Sequence, residues 1–224
     1  MIAKLPRWVW TGAWALAFVA GMINIVGLLG FEHRAVTHLT GITSNLSDAV
    51  ATGHGEVIVR SLGVIGSFLA GSMLSGFLIQ DGTLKLGRSY GLSLGLEAML
   101  LFAAVPLLER QFHLGVCLAA AACGLQNAMA TTYSGASVRT THLSGMFTDL
   151  GIFLGHRCRG LAVDLRRIKL CLVIISGFFC GGVAGGVAFR KMGYGTLYLP
   201  ATGTGLAAII YTAQSSWTRG SKKG

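Results

Sequence analysis

Six apolar runs divide the chain: Trp8 to Gly30, Val57 to Ile79, Tyr90 to Leu108, Leu114 to Tyr133, Ile168 to Phe189 and Tyr194 to Ala213. Each is close to the ~20 residues that carry an α-helix across a hydrocarbon core. Between the first and second runs, and again between the fourth and fifth, lies a short segment of different character. Leu39 to Thr52 carries Thr40, Thr43, Ser44, Asn45, Ser47 and Asp48, too polar and too short for a lipid-facing span. Such a segment is tolerated at membrane depth where it lines a cavity between other helices. The pattern predicts an all-α, polytopic helical membrane protein: six full spans plus two short polar half-membrane or broken helices, in one transmembrane domain over residues 1–224.

Composition agrees with the pattern. The 224 residues are 53% hydrophobic and 12% charged, with 33 Gly, against about 25% charged in soluble domains. A net charge of +10 would point to nucleic acid in a soluble protein. Here Lys and Arg avoid the apolar runs, so the charge reads as topology and no nucleic-acid partner is expected. With six crossings and both termini cytoplasmic, 13 Lys and Arg fall inside and 5 outside, as the positive-inside rule requires. Lys4 and Arg7 precede the first run without a small-residue cleavage site, so that run reads as a span and not a removed signal. The five Cys are odd in number and lack C-x-x-C spacing, which suits packing better than redox or metal chemistry.

The two polar segments share a motif. Thr37-His38-Leu39-Thr40-Gly41 returns as Thr141-His142-Leu143-Ser144-Gly145, and the matches continue in order on both sides. Gly21-Met22-Ile23-Asn24 corresponds to Gly124-Leu125-Gln126-Asn127, Gly53-His54 to Gly155-His156, and the run Gly66 to Gly76 to Ser176 to Gly186. Two internal repeats follow, residues 8–108 and 114–214. If the motif segments do not cross the membrane, each repeat has three spans and the two copies are inverted. If they do cross, the copies are parallel and the charge bias becomes 12 to 6, so charge does not decide. Inversion is the favoured reading because the segments are short and polar. Gly71-x-x-x-Ser75, Gly181-x-x-x-Gly185 and Gly182-x-x-x-Gly186 predict close helix packing.

These residues resemble the YoaK family of bacterial integral membrane proteins, built on a domain of unknown function (1275). The resemblance rests on Gly124-Leu125-Gln126-Asn127-Ala128, Ser137-Val138-Arg139-Thr140-Thr141, Ser144-Gly145 and Thr148-Asp149-Leu150-Gly151, and covers nearly the whole chain. In the first repeat Thr40-Gly41 fits the family's Thr-Gly-Asn run, but Ile42 replaces the Asn. The resemblance implies a multi-pass protein of the inner membrane and no agreed activity.

The functional expectation therefore comes from the polar residues. On a helix, His38, Gly41, Asn45 and Asp48 share one face, and His142, Gly145 and Asp149 form the matching face. Ionisable groups at membrane depth face the interior and are functional candidates by default. Asp149 and Glu97 are the candidates for carrying a proton, each with a structural hydrogen bond as its alternative. Asn24, Gln126 and Asn127 offer donors and acceptors along a path, or join helices. Arg139 stands ahead of the second motif, where Arg and a helix N-terminus together favour an anion; snorkelling to the interface is its alternative. Thr40, Thr141, Ser144 and Thr148 complete the candidate pathway.

The expected function is a transporter or channel-like permease for a small polar or ionic solute, proton-coupled through Asp149 and Glu97. The two motif segments would meet near mid-membrane. No cofactor, resident metal or catalytic residue is expected, since no nucleophile turn, phosphate loop or pre-positioned ligand pair occurs. Two alternatives stay open: a membrane-embedded enzyme with a metal at the His and Asp cluster, and a non-transporting partner-binding protein. Expected partners are the lipid bilayer and the solute, and the glycine-rich spans permit a homo-oligomer.

Overall fold

In the computed structural model, residues 7–30, 38–79, 88–133 and 140–220 are described, and all their regular structure is helical. The order is α1 (Arg7–Leu29), α2 (Leu39–Thr52), α3 (Gly55–Leu78), α4 (Arg88–Glu109), α5 (His113–Tyr133), α6 (Leu143–Cys158), α7 (Leu165–Met192), a 3₁₀ turn (Gly193–Leu197) and α8 (Tyr198–Gly220). Five stretches are long and apolar enough to cross a membrane. The last, Leu165–Ala213, covers 49 residues, more than twice the ~20 of one crossing, and Gly193 (φ 55°, ψ −137°) breaks it into α7 and α8. α7 starts at Leu165, three residues ahead of the apolar run that begins at Ile168, and so takes in Arg166 and Arg167 as well.

Long-range packing sets the architecture. α1 lies on α7, α3 on α5, and α4 on both α5 and α8. At Gly124 the α5 backbone meets the main-chain carbonyl of Phe68 on α3, leaving no room for a β-carbon. The same approach joins Gly21 of α1 to the Phe178 carbonyl of α7. Small residues allow this, and in lipid close backbone approach is a main source of helix attraction. Along α3 and α5 Gly63 meets Cys117 and Gly71 meets Ala121, and along α7 and α1 Gly177 meets Trp14 and Gly185 meets Met22, so both pairs run parallel. α4 and α8 run antiparallel, with Gly95 facing Ala208 and Gly205 facing Ala98. Of the expected packing runs, Gly182-x-x-x-Gly186 is not one: a β-carbon at Gly182 would meet nothing within 4 Å. Gly181 and Gly185 make the close α1 contacts, and a β-carbon at Gly186 would reach only the Ile25 side chain, at 3.7 Å.

Contacts between helix ends define two ends of the bundle. At one, Gly30 lies beside the Tyr194 ring, Gln111 Nε2 donates to the Tyr194 hydroxyl at 3.5 Å, and His113 Nε2 pairs with the Arg60 carbonyl at 3.0 Å. At the other, Lys169 stands 5.2 Å over the Trp10 ring and Tyr90 meets Tyr211 edge-on at 5.8 Å. α2 connects α1 to α3 at the first end, and α6 connects α5 to α7 at the second.

Candidate functional site

Each short helix folds back along the long helix that follows it. In α2 the turn is made by Gly53, whose φ of 74° suits a residue without a β-carbon. Leu39 and Ile42, at the start of α2, join the apolar cluster of Val64, Ile65 and Phe68 on α3. The helix thus begins alongside the interior of α3 and ends at the bundle's first end. α6 does the same from the second end, where Met146 packs with Leu170, Cys171 and Ile174. Ile42, where the family resemblance would place an Asn, is buried in this contact.

The two helix starts have one geometry. His38 precedes α2 with φ −93° and ψ 66°, His142 precedes α6 with φ −94° and ψ 59°, and neither side chain caps its helix by a hydrogen bond. Each imidazole folds over the glycine three residues on. A β-carbon at Gly41 would stand 2.7 Å from His38 Nδ1, and one at Gly145 would collide with His142 Nδ1 in the same way. The recurring His-Leu-Ser/Thr-Gly therefore places a ring over the open amide end of a short helix. That end carries partial positive charge, so the pair His plus helix start suits an anion or a dipole.

The polar stripes lie on the free faces. α2 turns Ile42 and Ala49 inward, while Thr40, Asn45 and Asp48 are exposed, as are His142, Ser144, Thr148 and Asp149 on and before α6. Several hydroxyls bond back to their own helix, Ser44 to the Thr40 carbonyl at 3.0 Å and Thr148 to that of Ser144 at 2.9 Å. α2 rests on α3 and α6 on α7, from opposite ends of the bundle. Their sequences encode identical starts but not their distance apart, which the intervening long helices set.

A second polar group lies inside the bundle. Glu97 of α4 and Gln126 of α5 are fully buried, and neither Glu97 oxygen and neither Gln126 polar atom has a hydrogen-bond partner. Asn127 Oδ1 is likewise unpartnered. Glu97 lies within electrostatic reach of the Cys123 thiol on α5, one helical turn from Gln126. Asn24 is half-buried on α1, and Thr141 is half-buried before α6. Arg139 lies outside the described residues. The sequence reading missed Ser75, Thr140 and Thr196, all buried with unpartnered hydroxyls. Ser75 was legible only as the small residue of its packing run, and Thr140 only as a neighbour of Arg139. Among the described residues no three His, Cys, Asp or Glu side chains converge on a metal-sized point.

Helices of this length and apolarity, around an interior of buried polar side chains, define a polytopic helical membrane protein. Residues 12–210 match the family described as "Protein of unknown function (DUF1275)", and the chain belongs to that family. This is the YoaK family of the sequence resemblance. No curated protein and no solved structure matches the chain.

Proposed function

We propose that this chain is an integral membrane transporter or channel-like permease for a small polar or ionic solute, with the pathway between two inverted structural repeats. The carrying observation is the burial of Glu97 and Gln126 on adjoining helices with no protein partner for any of their side-chain oxygens or nitrogens. Leaving such a group unpaired costs about 1–3 kcal/mol. A merely structural role would supply partners, whereas a proton or solute path needs these atoms free.

The repeat reading draws support from equivalent contacts. Gly21 on Phe178 corresponds to Gly124 on Phe68, Gly181 on Phe18 to Gly71 on Ala121, and Gly95 on Ala208 to Gly205 on Ala98. α3 packs on α5 and α7 on α1, each across the halves, and on this reading a pseudo-twofold axis would pass between α4 and α8. α1 and α5 start at opposite ends, which supports inverted copies. Sites between inverted repeats, with helix ends aimed inward, are the common plan of secondary transporters. The arginine- and lysine-rich second end is cytoplasmic on this reading, the membrane is the inner membrane, and the protein is a carrier and not an enzyme.

The test is flux in proteoliposomes, read by swelling for neutral solutes and by an internal pH dye for protons. Wild type moves at least one small polar solute or ion class, and Glu97→Gln loses the proton signal. A folded protein that moves neither solutes nor protons defeats the proposal.

A further inference from the structure

One pair of helices breaks the correspondence between the halves. By the repeat, α4 against α5 should be mirrored by α8 against α1. The first pair is closely packed: a β-carbon at Gly115 would stand 2.8 Å from Leu108 Cγ and 3.0 Å from the Ala104 carbonyl. The second is parted by a cavity of about 520 Å³, bordered by Gly12, Phe18 and Met22 of α1 and Leu199, Gly203 and Ala207 of α8.

The residues at the two places correspond. Gly95-Leu96-Glu97-Ala98 in α4 aligns with Gly205-Leu206-Ala207-Ala208 in α8, the same register that relates Gly71 to Gly181. Glu97 therefore occupies, in the closed seam, the position that Ala207 holds beside the open groove. α8 brings no charged side chain to α4 between Tyr198 and Ala213, and α5 brings the Cys123 thiol. A carboxyl in a closed seam exchanges a proton with water only when the seam parts.

We propose that the α4–α5 seam and the α1–α8 groove are alternating gates, and that Glu97 is the proton-binding site uncovered when the seam opens and the groove closes. This rests on the transporter reading above and adds to it the moving parts and the coupling group. The short connection Arg110–Phe112 ties the seam at the first end of the bundle, so α4 and α5 part from the second end. In a protein with two such states, what fills the groove holds the seam shut.

The groove offers a direct test. A β-carbon at Gly12 or at Gly203 would meet nothing within 4 Å, so Gly12→Leu and Gly203→Leu fit the open groove and obstruct its closure from opposite walls. Purified protein in lipid nanodiscs is treated with a hydrophobic carbodiimide, and modification of Glu97 is followed by mass spectrometry. Wild type is modified at Glu97, and each leucine variant that keeps the wild-type melting temperature is modified at least ten-fold more slowly. Equal rates in wild type and in a folded leucine variant overturn the proposal. So does a wild-type Glu97 that is never modified, a measurement that requires no variant. Flux is measured separately: solute movement with equal labelling rates removes this inference and leaves the transporter reading, and gated labelling without flux does the reverse.

Discussion

Gly124 of α5 presses its backbone on the main-chain carbonyl of Phe68 in α3, and one turn later Ser72 donates its hydroxyl to the Gly124 carbonyl at 3.1 Å. The two contacts differ in kind and should differ in cost. Ser72→Ala removes one interhelical hydrogen bond in lipid, worth about 0.6 kcal/mol on average. Gly124→Val drives two branches into fixed backbone and costs about 1–3 kcal/mol or more. Thermal unfolding in detergent separates them: a small shift for Ser72→Ala and a large one, or loss of the folded protein, for Gly124→Val. Equal shifts would mean that the close approach is not what holds α3 to α5.

Glu97 gives a prediction in which stability and function move in opposite directions. Replacing an unpartnered buried carboxyl by Leu removes a penalty of about 1–3 kcal/mol, so Glu97→Leu unfolds at a higher temperature than wild type. Proton movement in proteoliposomes is lost in the same variant. A lower melting temperature would show that Glu97 holds the bundle together.

The rings over Gly41 and Gly145 yield another. His38 and His142 are exposed, so an alanine methyl at either glycine pushes the imidazole aside at little cost to the fold. Gly41→Ala and Gly145→Ala should keep unfolding free energies within about 1 kcal/mol of wild type, because the far end of a side chain yields more easily than backbone. Solute flux should fall in both if the ring over the helix start contacts the solute. Unchanged flux in both variants would assign the two histidines to helix initiation alone.

Opposite placement of the short helices is open to chemical mapping. Cys158 is exposed at the end of α6, and Thr52→Cys puts a thiol at the end of α2. A membrane-impermeant maleimide added to intact cells should modify residue 52 and spare Cys158, and disrupted cells should show both. Modification of both from outside would place the short helices on one side and make the repeats parallel.

The sequence displays the long helices, the two short ones and the doubled motif because each depends on local periodicity. Glu97 and Gln126 were legible too, since a carboxyl and an amide within apolar runs stand out whatever their neighbours. What the pattern does not contain is exchange. Nothing in Phe68 or Phe178 says that its carbonyl meets a glycine from the other half, because that choice is settled by the competing fits of whole helix faces. The short helices show the same division: the doubled motif displays their identical starts at His38 and His142, whereas their seats on α3 and α7 are settled by packing.

The exchanged packing also has a consequence for how the protein is made. α1 finds its main partner only when α7 is complete, after about 160 further residues, from Leu29 to Met192, have been added. At ribosomal rates of about 5–20 residues per second, that is a delay on the order of ten seconds. During it, Gly21 and the backbone it should meet are separated by most of the unfinished chain. Biogenesis must keep the first helix from settling against the wrong neighbour, so insertion machinery that holds early helices at the translocon should matter more here than for a bundle assembled from sequential hairpins.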